Sequence, residues 1–261
     1  MRRITANTTH LVATLAVTAA AVFTAFAMPT PAYAVTLDLF NGDANTVSGS
    51  GKEVDVARKV AAFSVLRLDS SVDVHARQGA TPSVTVHADD NIEPLIETAV
   101  DGDTLVVRMR KHASFRTRHS VVVDVVFTAL TGAQQHGSGD LHIDKLTAAR
   151  FESTIAGSGD LQIEHAQLGS FASSIAGSGD VAISGTADEA RFGVAGSGDI
   201  DARDFAVRRV SVSISGSGDA HVNATEAIDA RVAGSGDIVY AGHPHDVSRR
   251  VSGSGSIESA N

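Results

Sequence analysis

The sequence predicts an all-β chain wound as a right-handed parallel β-helix, a β-solenoid, with about 19–20 residues per coil. Three observations predict it. First, the phrase Gly-Ser-Gly-Asp occurs six times, starting at Gly137, Gly157, Gly177, Gly196, Gly216 and Gly234, and a seventh copy from Gly253 ends in Ser256. The copies start 20, 20, 19, 20, 18 and 19 residues apart, a period that belongs to stacked repeats. Second, apolar residues alternate around each copy. Ile155, Ile175, Val194, Ile214, Val232 and Val251 stand two before the first glycine, and Leu141, Leu161, Val181, Ile200, Ala220, Ile238 and Ile257 stand four after it. Period-two alternation sends this set to one face, and only stacking buries it. Third, no helical period of comparable strength competes, and about 20 residues are too few for a helical crossover between parallel strands. Right-handed winding is the favoured hand of parallel connections.

In chain order, residues 1–34 read as a secretory signal peptide. Arg2 and Arg3 start it, an uncharged apolar run follows, and Ala32-Tyr33-Ala34 supplies a small-residue cleavage pattern. Residues 35–52 mix Gly, Ser, Asn and Asp and read as a linker, with Gly49-Ser50-Gly51 as a false start of the repeat. Residues 53–261 read as a single solenoid domain. Within it, 53–136 are expected as irregular N-terminal coils and 137–256 as the Gly-Ser-Gly-Asp coils. In the irregular part Phe63, Leu66, Leu68, Val72 and Val74 alternate as a strand. Residues 91–97, with Pro94, predict a short helical turn. Asp101-Gly102 predicts a hairpin, and 121–127 a buried strand. The only basic cluster runs from Arg108, Arg110 and Lys111 to Arg116 and Arg118, and reads as a solvated strand face and loop.

Composition narrows the function classes. The 261 residues carry a net charge of −9, which argues against nucleic acid and anionic bilayers as partners. With no cysteine, an exported chain must rely on packing and hydrogen bonds. No segment after the leader is long and apolar enough for a transmembrane helix. There is no tryptophan, so stacking on sugars has few aromatic partners.

In the repeat, both glycines take inward offsets, while serine and aspartate point outward. The aspartates make a column: Asp140, Asp160, Asp180, Asp199, Asp219 and Asp237. Carboxylates ~5 Å apart repel by about 0.8 kcal/mol in water and about 3 kcal/mol at an effective dielectric of 20. Two arrangements offset this. Each carboxylate can accept backbone N–H bonds in the bend, or Ca²⁺ can bind between coils. These six aspartates are the candidate Ca²⁺ ligands. No other cofactor and no catalytic residue is predicted. His142 and His221 share an outward offset but stand four coils apart, and His243-Pro244-His245 reads as a turn. Arg203, Arg208, Arg209 and Lys145 recur at no fixed column, so a polysaccharide-active enzyme on a β-helix stands as the alternative class.

The chain resembles the head GIN domain family of auto-transporter adhesins. The resemblance rests on Phe63-x-x-Leu66-x-Leu68, Ser70-Ser71-Val72-Asp73-Val74, Val84-x-Val86-x-Ala88-Asp89-x-Asn91, Asp101-Gly102-x-x-Leu105, the repeated tetrad, and Tyr240-x-Gly242-x-Pro244. It implies a non-enzymatic protein exported to the periplasm, envelope or beyond, an adhesin or scaffold with a protein or polysaccharide partner. It also implies that 70–73 is a degenerate first tetrad. Gln135, where an apolar residue is expected, and Ser256, where aspartate is expected, depart from the pattern. The last coil has no evident cap, which predicts weak end-to-end self-association.

Overall fold

Residues that alternate apolar and polar every 18 to 20 positions have one face to hide, and neighbouring coils supply the only cover. The computed structural model, in which residues 46–260 are described, obeys that logic. The expected signal peptide and the first part of the expected linker lie outside the described residues. The described chain is all-β, a solenoid of about six turns, with one 3₁₀ turn at Glu93–Leu95 and no α-helix. None of its helices is long and apolar enough to cross a membrane.

The first part contains β1 (Thr46–Ser48), β2 (Glu53–Arg58), β3 (Val65–Asp69), β4 (Asp73–Gln78), β5 (Ser83–Asp89), β6 (Ile96–Asp101), β7 (Thr104–Met109), β8 (Ser114–Arg116) and β9 (Val122–Phe127). Strands β3 and β4 make one coil. Strands β7 and β9 run parallel to them, so residues 104–127 stack beneath a coil that precedes them in sequence. The chain then crosses to the other face of β3, where β10 (Gly132–Gly137) pairs in parallel. Within 53–136, expected as irregular N-terminal coils, the order of the strands in space differs from their order in sequence. The end of the stack is closed by antiparallel pairs, β2 with β5, β5 with β9, and β6 with β7. The β6–β7 hairpin turns at Asp101-Gly102, where Gly102 has φ 63°. Within the expected linker, residues 46–48 form a strand: β1 lies parallel to β8, with Thr46 opposite Ser114.

The repeat part contains β11 (Leu141–Gly157), β12 (Leu161–Gly177), β13 (Val181–Gly196), β14 (Ile200–Gly216), β15 (Ala220–Gly234), β16 (Ile238–Ala241), β17 (Asp246–Gly253) and β18 (Ile257–Ser259). All pair in parallel with the coil before. The inward column runs in register from Ile155 through Ile175, Val194, Ile214 and Val232 to Val251. Instead of two or three short strands per coil, β11 to β15 are single bent strands of 15 to 17 residues, broken only at the tetrad. The pairing of these strands shifts register within the stretch, between Ile163 and Ala166, between Ala182 and Gly185, and between Ala202 and Ala206.

The core is a narrow column of Val, Ile, Leu, Ala and Phe. Phe151 stacks on Phe171 at 6.2 Å, and Phe171 meets Phe192 and Phe205 edge-on. Its few polar members are mostly paired. Ser153 and Ser173 bond each other at 2.8 Å. Gln135 is buried because its amide N–H₂ donates to the carbonyl oxygens of Gly139 and Asp160, linking two successive bends. The column ends abruptly. Ile228 and Val232 are 2% exposed, but Val247 and Val251, one coil on, are 42% and 47% exposed.

Candidate functional site

The tetrad is a backbone device. At Gly177 φ is 146°, and a Cβ there would lie 2.1 Å from the Gly157 carbonyl oxygen; at Gly179 it would lie 2.2 Å from the Gly159 oxygen. Coils approach too closely at the bend for any side chain. The six candidate aspartates all lie on this bend, outside it, in one column. Their carboxylates form a hydrogen-bonded ladder. Oδ1 of Asp73 accepts the N–H of Asp140, and Asp140 accepts that of Asp160. Asp160, Asp180, Asp199 and Asp219 accept from the next aspartate in turn, at 2.7 to 2.8 Å. Asp237 accepts from Ser256 at 2.6 Å. The residues expected as a degenerate first tetrad therefore stand in register as its first rung. Ser256 stands in the register of an aspartate and donates its N–H to Asp237. Among the described residues no group of three or more His, Asp or Glu is arranged to hold a metal ion.

The column carries an electrostatic cost. Burial, followed by the Asp140 and Asp180 charges, pushes the Asp160 carboxyl above its ordinary value, against the N–H bond from Asp180 that pulls it down.

A second arrangement lies where β1 meets β8. Asp89, at the end of β5, is 1% exposed. Its carboxylate accepts the Thr117 hydroxyl at 2.7 Å and pairs with His119 Nδ1 at 2.8 Å. The backbone of Gly51 also donates to it. The Thr117 and His119 bonds, then burial working the other way, hold its carboxyl below the ordinary value. In return the bond to Asp89, with the Glu53 charge, raises His119 against burial. Gly49 donates its N–H to Arg116 O at 2.7 Å. A Cβ on Gly49 would sit 1.9 Å from Asp89 Oδ2, so glycine is required for the loop to close over the carboxylate. Around it opens a cavity of about 450 Å³, bordered by Ser48, the Gly49-Ser50-Gly51 loop, Arg116, Arg118 and His119. The triplet read as a false repeat and the cluster read as a solvated loop are its two walls. Each was visible in the sequence. Nothing in the sequence brought together segments 65 residues apart, and Asp89 was noted only as part of a family block.

A polar row crosses the neighbouring sheet face. His87 bridges Asp55 (2.7 Å) and Asp124 (3.0 Å). His75 lies in register with Asp124 and with His142, their rings 5.8 Å apart. Burial pulls His87 down, but Asp55 and Asp124 outweigh it and raise its proton affinity overall.

The family described as "Putative auto-transporter adhesin, head GIN domain" matches residues 62–244. The chain belongs to the head GIN domain family. Solved structures of similar chains agree. A putative adhesin from Bacteroides fragilis is 30% identical, with a TM-score of 0.79 over 82% of this chain and 99% of that one. A putative lipid binding protein from Parabacteroides distasonis is 29% identical, with a TM-score of 0.68 over 83% and 100% of the two chains. A putative adhesin from the same organism, 24% identical with a TM-score of 0.66, shares the fold. No curated protein is similar to the chain. The family match begins at residue 62, so the β1 loop that walls the cavity lies outside it, while Asp89, Arg116, Arg118 and His119 lie within this head GIN domain.

Proposed function

We propose that the protein is a non-enzymatic binding module of the cell envelope, exported through the leader at 1–34 and acting as an adhesin or scaffold. Membership of an adhesin family supports the binding role. The observation that carries it is the register of the coils: outward residues repeat as straight columns on a rigid surface. On that surface the serine and aspartate columns of the tetrad present the same chemistry at each step, which suits a repetitive partner, a polymer or an envelope face.

The test is direct. Labelled protein spanning 35–261 is added to envelope fractions. Saturable retention, competed by unlabelled protein, is expected; retention that never saturates sinks the reading. A fusion of residues 1–34 to a reporter active only outside the cytoplasm checks export, and an inactive fusion removes that part.

The open last coil supports a further part of the proposal, weak end-to-end association with a second copy. Among the described residues strand β17 pairs only with β15, and Val247 and Val251 lie exposed on it. Arg249 is held over the Tyr240 ring at 4.9 Å and covers only part of the end.

A further inference from the structure

The arginines of the repeat coils mostly face carboxylates. Arg150 pairs with Glu152, Arg203 with Asp201, Arg208 with Glu226, Arg209 with Glu189, and Arg231 with Asp229. Arg116 and Arg118 break this habit. Both border the cavity at β8, and neither makes a side-chain hydrogen bond or ion pair among the described residues. The chain has 30 acidic residues against 21 basic ones, so two unanswered guanidiniums beside one hollow are out of character. His119 adds a third polar group: its Nδ1 is committed to Asp89, which leaves Nε2 to accept from a sugar hydroxyl when the ring is neutral and to donate to an oxyanion when it is protonated. Asp89, beneath, is already covered by Thr117, His119 and Gly51, and nearby Asp90 is held by Ser50 and Lys52.

Guanidinium forks match planar or tetrahedral oxyanions two bonds at a time. A cavity of about 450 Å³ is larger than such a group alone and takes a sugar ring with it. The rest of the lining is Ser48 and the Gly49-Ser50-Gly51 loop; the loop N–H groups are already given to Arg116 O, Asn91 Oδ1 and Asp89, and the Ser50 hydroxyl to Asp90, so this wall offers a sugar its shape and the Ser48 hydroxyl. The net charge of −9 opposes docking on a uniformly anionic surface and favours one acid group on an otherwise neutral ligand.

We propose that this cavity binds an acidic sugar residue, whose carboxylate or phosphate is held between Arg116 and Arg118. The proposal names a ligand class for the binding module described above and rests on that reading only for where the sugar comes from.

Titration calorimetry of the chain spanning 35–261 tests it, with glucuronate, glucose 6-phosphate and glucose as probes. At least one acid is expected to bind about tenfold more tightly than glucose, the size of one charge-assisted contact. The pair Arg116→Ala and Arg118→Ala should remove that preference with the melting temperature within about 1 °C, since both side chains are exposed and unpaired. Equal affinity for glucose and both acids, no heat from either acid, or a double variant that keeps the preference overturns the proposal. So does retention by phosphatidylglycerol vesicles without binding of either sugar acid, which would assign the site to lipid headgroups. Loss of acid binding in the double variant with envelope retention intact would uphold the site while separating it from attachment. Envelope retention lost alongside would join the two.

Discussion

Residues 46–136 and 137–259 build the same solenoid by opposite means. The later coils are copies, locked by repeated contacts: glycine against glycine, carboxylate to N–H, valine on isoleucine. The earlier part is assembled from pairs that occur once. Its strands run in both directions, its coils are stacked out of sequence order, and its buried carboxylate ties three segments together. Repetition gives coils alike in backbone and bend. The cavity, the buried Asp89 pair and the row joining His87 to His142 all lie in or against the unrepeated part.

The largest expected effect comes from the repeat. Gly198→Ala puts a Cβ 2.1 Å from the Gly179 oxygen, between two stacked backbones that cannot part without breaking the ladder. A loss of about 3 kcal/mol or more is expected by denaturant titration. Gly51→Ala, at φ 79° but facing open space, should cost only about 1–2 kcal/mol. Similar costs at the two sites would erase the contrast between a packed repeat and a single loop.

Next is the aspartate ladder. Asp180→Ala removes the acceptor of the Asp199 N–H and should cost about 1–2 kcal/mol. Asp180→Asn keeps an acceptor and removes a like charge between neighbours, so it should be neutral or stabilising. A ladder that needs Ca²⁺ would respond the other way, with Asn as harmful as Ala and a melting temperature lowered by chelator; we expect chelator to have no effect.

The pH response divides the same way. Asp160 has a raised carboxyl, so the folded chain binds that proton more readily than the unfolded chain. Its contribution to stability is present at low pH and fades as pH rises through its folded value. Asp89 is lowered, so its contribution is present above the ordinary carboxylate range and is lost as pH falls through its folded value. His87 and His119 are raised, so their contributions are full below about 6.5 and fade as pH rises through their folded values. Asp89→Asn should flatten the acid limb and the limb above 6.5 together, because His119 loses its partner. Denaturation midpoints from pH 3 to about 9 read all three. The smallest effect belongs to the open end: Val251→Glu should abolish weak association in sedimentation runs at high concentration and leave the monomer unchanged.

The repeated coils were legible because their constraint is written six times: period, parity and inward glycines follow from residues 137–256 alone. The hairpin at Asp101-Gly102, the turn near Pro94 and the strand at Val122–Phe127 were legible from local chemistry. The placement of 104–127 beneath 65–78 was not, since parity says which face a strand buries and nothing about which neighbour covers it. The strand at Thr46–Ser48 was hidden for the same reason: three residues carry no period, and their partner lies 68 positions on. The aspartate column was legible as a column, and backbone N–H bonds were one of the two arrangements it implied; that each N–H comes from the aspartate of the next coil needed the register. His119 carried no mark and Asp89 only its place in a family block, because a buried pair that occurs once has no pattern to betray it.

The ladder also has a direction and an end. Each carboxylate from Asp73 onward accepts the N–H of the next rung, and Ser256 donates the last N–H among the described residues. A segment of about 20 residues copied in frame between any two rungs would find its donor and acceptor already in place, and would lengthen the rod by about 4.8 Å. A segment cut short by one residue would turn an inward row to solvent. The tetrad therefore works as a ruler with a stop mark: gene duplication can set how far the unrepeated end stands from the other in steps of one coil, without redesigning either.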